Sequence, residues 1–138
     1  MASVFDRNPV AAPVRFLEDA HAEVSHTRGA AVAALSLDID SGAVRYAGVG
    51  NIAGTLLTDG TGRGLFSHNG TLGAQVRKFQ EFDYAWLPGS LLVMHSDGIQ
   101  SRWSLSDYPG LAQRDPALIA ALLARDFRRG HDDVIVLV

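Results

Sequence analysis

The chain has 138 residues, enough for one domain with a sizeable core, and its 47% hydrophobic and 20% charged content is that of a folded globular protein. Twelve basic against fifteen acidic residues give a net charge of −3 with no long run of either sign, so the basic stripe that a nucleic-acid surface needs is missing. Cysteine is absent, which excludes disulfides, thiolate metal sites and cysteine nucleophiles. The longest apolar stretches, such as 30–37 and 90–94, fall far short of the roughly 20 residues that cross a bilayer. The opening MASVFDRNP has no basic segment followed by an apolar one, so no signal peptide is read there. The expected location is the cytoplasm.

Residues 14–27 place Val14, Leu17, His21 and Val24 on one helical face, with Pro13 just before it, where its missing N–H costs little, and Gly29 as the stop. Residues 31–40 are too apolar throughout for alternation and read as a strand buried on both faces. The turn Asp40-Ser41-Gly42 leads into a second strand at 43–47, making a hairpin. A third strand spans 52–58 and ends at Asp59-Gly60. A glycine-rich run to Gly64 then reads as a connection to Leu65 and Phe66, with a further turn at Asn69-Gly70.

Residues 78–86 suggest a strand with one wet face, Pro88-Gly89 turns the chain, and 90–95 form an apolar strand ending at Ser96-Asp97-Gly98. Residues 99–114 are irregular, with room for a short helical turn. Asp115 caps a second helix, with Pro116 at its first position, Leu118, Ile119, Leu122 and Leu123 on one face, and Gly130 as its end. A last strand covers 133–138. The expected order is helix, about six strands, helix, strand, with no repeat and no linker.

The informative chemistry is a carboxylate at each of two strand ends. Asp97 directly follows the strand SLLVMHS, and Asp132 directly precedes VIVLV. If those strands are antiparallel neighbours, the end of one lies beside the start of the other. Two carboxylates gathered there repel each other unless a cation lies between them. Hard ions such as Mg²⁺ or Mn²⁺ suit such oxygen-rich sites and hold waters that can be polarised into nucleophiles. Taken singly, each site reads better as the plain alternative, Asp97-Gly98 as a turn and Asp132-Asp133 as a solvated loop; it is the two together that suggest a site.

Other patterns carry less. Gly48-Val49-Gly50-Asn51-Ile52-Ala53 matches the dinucleotide fingerprint on paper, but a strand pattern follows it instead of a helix. No G-x-S-x-G elbow is present. His21 reads as a hydrogen-bonded core residue, and His26 and His68 as surface and turn residues. His95 and His131 stand close to the two aspartates, where each either supports a ligand, contacts phosphate or fills the sheet edge. Trp103 with Arg102 stacked on it, and Arg125, Arg128 and Arg129 in the last helical turns, read as structural.

The segments VRYAGVGNIAG, SHNGTLG, WLPGSLLVMHSDGIQSRW and RRGHDDVIVLV, in that order, resemble successive blocks of the SpoIIE/RsbX-like PP2C-type metal-dependent serine/threonine phosphatases. The resemblance runs from Thr27 onward. It implies an α+β fold, an α/β/β/α sandwich of antiparallel sheets, and a site with two Mn²⁺ or Mg²⁺ ions whose bridging water attacks phosphoserine or phosphothreonine. Carried over, Asp97 matches the aspartate of the family's Ser/Thr-Asp-Gly motif and Asp132 that of its final Asp-Asp/Asn motif. Gly98 and Asp133 flank them as phosphate or ligand-supporting contacts alongside His95 and His131. Gly48, Gly50 and Asn51 match a glycine turn near the site.

The family's first motif, an Asp-Gly-x-Gly block supplying the metal-bridging carboxylate, has no match before Val14, since Asp6 is followed by Arg7-Asn8-Pro9. The chain therefore resembles the C-terminal two-thirds of the domain and is expected to be a single, N-terminally incomplete phosphatase domain lacking the early strands. By resemblance its substrates are phosphorylated STAS-type regulators in a partner-switching circuit, acted on with impaired activity. The alternative is a catalytically inactive phosphatase-like module for partner binding or dimerisation. An unpaired sheet edge leads to the expectation of homo-oligomerisation through the exposed sheet.

Overall fold

The computed structural model describes all of residues 1–138. Two helices, α1 (Ala2–Arg7) and α2 (Pro13–Glu23), precede eight strands: β1 (Val32–Asp38), β2 (Ala43–Val49), β3 (Ala53–Thr58), β4 (Thr61–Leu65), β5 (Gly70–Thr71), β6 (Gln75–Val76), β7 (Phe82–Ala85) and β8 (Leu91–His95). Two 3₁₀ turns, Leu105–Asp107 and Leu111–Gln113, lead to α3 (Pro116–Asp126) and a final short strand, β9 (Val136–Leu137). The class is α+β with antiparallel sheets, as expected. No helix is long and apolar enough to cross a membrane.

The chain divides into two compact units. The first, residues 1–52 and 66–86, holds α1, α2, the three-stranded sheet β1-β2-β7 and the β5-β6 ribbon. Strand β1 pairs with β2 from Val32↔Val49 to Asp38↔Ala43, the hairpin read from the Asp-Ser-Gly turn. Its core forms where α2 lays Leu17 and Ala20 on Val32, Ala47, Val49 and Leu72, with Val14 and Val24 beside them. These are the residues of the helical stripe. Helix α2 stops at Glu23, four residues before Thr27, where Val24 donates its N–H to the Ala20 carbonyl. His21 is held as a hydrogen-bonded residue: its Nδ1 accepts from the Gly73 N–H at 2.9 Å, and its ring meets Phe79 edge-on.

The second unit, residues 53–65 and 87–138, is the four-stranded sheet β4-β3-β8-β9 with α3 and the 3₁₀ turns against one face. Val93 of β8 packs with Leu105, Leu111, Ile119 and Leu123 in its core. Asp115 caps α3, its Oδ1 accepting from the Ala117 N–H at 2.8 Å, with Pro116 at the first helical position.

Four expectations need correction here. The strand read over 31–40 as buried on both faces is the edge strand β1, where Val32 is buried, the residues after it are half-buried and Leu37 and Asp38 are exposed. The glycine-rich run after Asp59-Gly60 is strand β4, paired with β3 from Gly54↔Leu65 to Thr58↔Thr61. Asp59 (φ 49°) and Gly60 (φ 77°) close it as a two-residue hairpin with both central residues left-handed. Helix α3 ends at Asp126 instead of reaching Gly130, so Arg128 and Arg129 lie beyond it and Arg128 forms a β-bridge with Ile99. The last strand is Val136–Leu137 alone, so Asp132 lies four residues before it.

Candidate functional site

Strands β8 and β9 are antiparallel neighbours, with Met94↔Leu137 and His95↔Val136 in register. That pairing brings the turn after β8 against the segment before β9. Ser96 is the clasp: its N–H donates to the Ile135 carbonyl at 3.0 Å, and its Oγ accepts from the Ile135 N–H at 3.1 Å. The same hydroxyl donates to the Asp133 carbonyl at 3.4 Å. Two residues on, the Gly98 carbonyl accepts from the Arg129 N–H at 2.7 Å, and Gln100 donates to Phe127 at 2.8 Å. The peptide segments carrying Asp97 and Asp132 are thus in direct backbone contact, and both aspartates are exposed to solvent.

Gly98 is buried in this contact. A Cβ there would stand 2.1 Å from the Asp133 carbonyl oxygen, so only glycine lets the two segments approach this closely. Arg128, read from sequence as a helix-end cation, donates from Nε and an Nη to the Asp132 carbonyl at 3.2 and 3.0 Å and holds that turn from the other side. No sequence signal distinguishes it from its arginine neighbours, because its role depends on where the helix stops.

His95 is 6% exposed, and both of its ring nitrogens are occupied. The Trp103 indole N–H, which can only donate, reaches Nε2 at 3.1 Å, so Nδ1 carries the proton given to the Ser96 carbonyl at 2.8 Å. Of the roles read for His95, phosphate contact is left without a ring nitrogen; it positions the residue before Asp97. The partner of Trp103 is therefore His95, edge to face at 6.2 Å, in place of the Arg102 stack. His131 and Asp133 are exposed in the same segment as Asp132.

The glycine turn belongs to the first unit. Gly50 (φ 95°) donates to the His68 carbonyl at 2.9 Å, His68 donates back to Gly48 at 2.8 Å, and a Cβ on Gly48 would stand 2.3 Å from Ser67 Oγ. Gly50 is required by its left-handed φ and by the approach of the Ala31 Cα, which would stand 2.9 Å from an added Cβ, while Gly48 packs closely on the Ser67 and Tyr46 side chains. His68 sits in an aromatic cluster with Phe66 and Phe82, with Nε2 buried and unpartnered. Asp6 is exposed on α1.

No three histidine, aspartate or glutamate side chains converge to hold a metal ion. The donors on offer are a pair of carboxylates on touching segments at a wet rim. That fits a hard dication of the Mg²⁺ type, which is often held by one or two carboxylates, with waters and a phosphate completing its shell. It does not fit a closed, all-protein cage.

This architecture is shared with known proteins. The chain belongs to the SpoIIE family (stage II sporulation protein E) of PP2C-type phosphatases, whose family model matches residues 5–138. A chain from the bacterial stressosome, a modular system adapted to control secondary messenger signalling, is 25% identical with a TM-score of 0.81 over 98% of this chain and 70% of its own. RsbX in complex with magnesium is 16% identical with a TM-score of 0.65 over 80% of this chain and 61% of its own. The SiaA PP2C domain of Pseudomonas aeruginosa is 16% identical with a TM-score of 0.67 over 99% and 63%. The chain thus spans about 61 to 70% of the length of these solved chains. No curated protein matches it.

Proposed function

We propose that this chain is a metal-dependent phosphoserine/phosphothreonine phosphatase module in which Asp97 and Asp132 are the metal-ligating carboxylates. The observation that carries the reading is the antiparallel β8–β9 pairing, which sets the two aspartate segments against each other across Ser96 and Gly98. When bound, a Mg²⁺ or Mn²⁺ ion supplies Lewis-acid charge for the phosphoryl oxygens and a polarised water. The chain's own contribution is positional: His95 and Ser96 hold the backbone before Asp97, and Arg128 holds the carbonyl of Asp132. By family, the substrate is a phosphorylated STAS-type regulator in a partner-switching circuit, and the likeness to a stressosome chain supports that class of partner. The reading places the protein in the cytoplasm.

A second reading, a catalytically inactive module that binds such a regulator or a second copy, draws on the failure of three ligands to converge. Hydrolysis of p-nitrophenyl phosphate with Mn²⁺ and isothermal titration of Mn²⁺ separate the two. The phosphatase reading expects Mn²⁺-dependent turnover, reduced roughly 100-fold or more in Asp97→Asn. Metal binding without turnover supports the inactive module. Turnover and binding both untouched by Asp97→Asn remove the site assignment.

A further inference from the structure

The second unit carries a cavity of about 880 Å³ on the sheet face that α3 also packs against. Its floor is β3 and β8, through Leu57 and Leu91, and its wall is the chain before and between the two 3₁₀ turns, through Trp103 and Tyr108. This volume lies within the range of small-molecule sites, as does the mixture of apolar walls with a few polar groups. The charge pattern is one-sided. Asp59, at the tip of the β3–β4 hairpin, is the acidic lining residue, the remaining polar groups are mostly hydroxyls, and no lysine or arginine lines the space. An anion would enter without a cationic partner and beside a carboxylate, which is unfavourable. An amine would find a carboxylate and the aromatic side chains of Trp103 and Tyr108 in the same lining.

We propose that this cavity binds a small amphipathic cation, an aromatic or aliphatic amine, with its apolar body against Leu57 and Trp103 and its ammonium toward Asp59, and that occupancy is relayed to the Asp97 turn. The relay is a two-bond chain: Trp103 Nε1 to His95 Nε2 at 3.1 Å, then His95 Nδ1 to the carbonyl of Ser96 at 2.8 Å. Trp103 and His95 both line the cavity, so a ligand that moves the indole moves the group holding the backbone one residue before Asp97. Neither binding nor relay requires turnover.

The test is a titration of the whole ¹⁵N-labelled chain with three near-isosteric probes: phenethylamine, 2-phenylethanol and 3-phenylpropionate. The expected result is saturable movement of the Trp103 indole N–H and of the Ser96 and Asp97 amides, with the amine binding roughly fivefold more tightly than the alcohol and the carboxylate weakest. Asp59→Asn is expected to bring the amine down to the alcohol's affinity. No saturable shift of the indole with any probe up to about 10 mM, or the carboxylate binding as tightly as the amine, overturns the site. Trp103→Phe is expected to keep binding, read at the Leu57 amide, while the Ser96 and Asp97 shifts disappear; shifts that persist overturn the relay. Should Trp103→Phe not fold, the Asp59→Asn comparison still decides the site, and His95→Gln, read at the Asp97 amide, decides the relay. Phosphatase activity is not the readout, so failure here leaves the proposed function standing, and the reverse.

Discussion

Gly98 and its neighbours show how little freedom single residues have at the aspartate rim. An alanine there places its Cβ inside the Asp133 carbonyl oxygen, and backbone cannot rotate away as a flexible side chain could. Gly98→Ala is expected to lower stability by about 2–4 kcal/mol and to loosen the 129–135 segment. Chemical denaturation checks the first, and faster amide exchange at Ile135, whose N–H is held by Ser96, checks the second. Asp126 makes the pH prediction. Hydrogen bonds from Arg125 first, and then from the Tyr108 hydroxyl, hold its carboxyl down at about 2 from an ordinary 3.8. A carboxyl depressed on folding adds stability above its unfolded value and loses it as pH falls toward the folded one. Between about pH 4 and pH 2 the native chain should therefore lose stability more steeply than Asp126→Asn, as read from urea midpoints. Parallel curves through that window would refute it. The group is exposed, so the effect is modest and falls with salt.

At the scale of elements, those legible in the sequence carry their own local signal. Helix α3 has its cap, its proline and its leucine stripe, and Asp115 makes the predicted bond to Ala117. Asp115→Ala should cost about 1 kcal/mol, and a shift in denaturation midpoint without a change in slope is the check. Strand β4 is the opposite case. Thr-Gly-Arg-Gly-Leu has almost no strand propensity, and it is extended because a two-residue Asp-Gly turn folds it onto β3. The Asp-Gly pair marks the turn, and the two-residue spacing is the sequence signal that makes it a hairpin. Helix α3 ends before the expected Gly130 because Phe127 leaves the helix and its carbonyl takes the Gln100 N–H, a long-range bond that no helical pattern contains.

For the molecule as a whole, the sheet edges set the remaining expectation. Strand β1 pairs with β2 alone, and Val-Ala-Ala-Leu-Ser-Leu-Asp contains neither the lysine nor the proline that protects natural edges. Leu37 is 36% and the following Ile39 80% exposed. At the β9 edge of the other sheet, Ile135 and Leu137 are 72% and 56% exposed. Sedimentation velocity is expected to show concentration-dependent self-association, weakened by Leu37→Lys if β1 is the contact and by Ile135→Lys if β9 is. A single monomeric species unchanged over the concentration range would refute it.

Sequence by itself determined the hairpin of β1 and β2, the apolar strand ending at Ser-Asp-Gly and the cap of α3, because each follows from periodicity, turn chemistry or a motif within a few residues, and the resemblance carried by its ordered motifs implied the α+β class. Only tertiary structure decided what the two aspartate segments do together. Their contact runs through Ser96, Gly98 and Arg128, which reach residues about 30 to 40 positions away or lie beyond a helix whose end is itself set by a long-range bond. The same holds for His95: its type and place were readable, but which groups occupy its two nitrogens depends on the packing of Trp103 against β8, and that exists only in the folded chain.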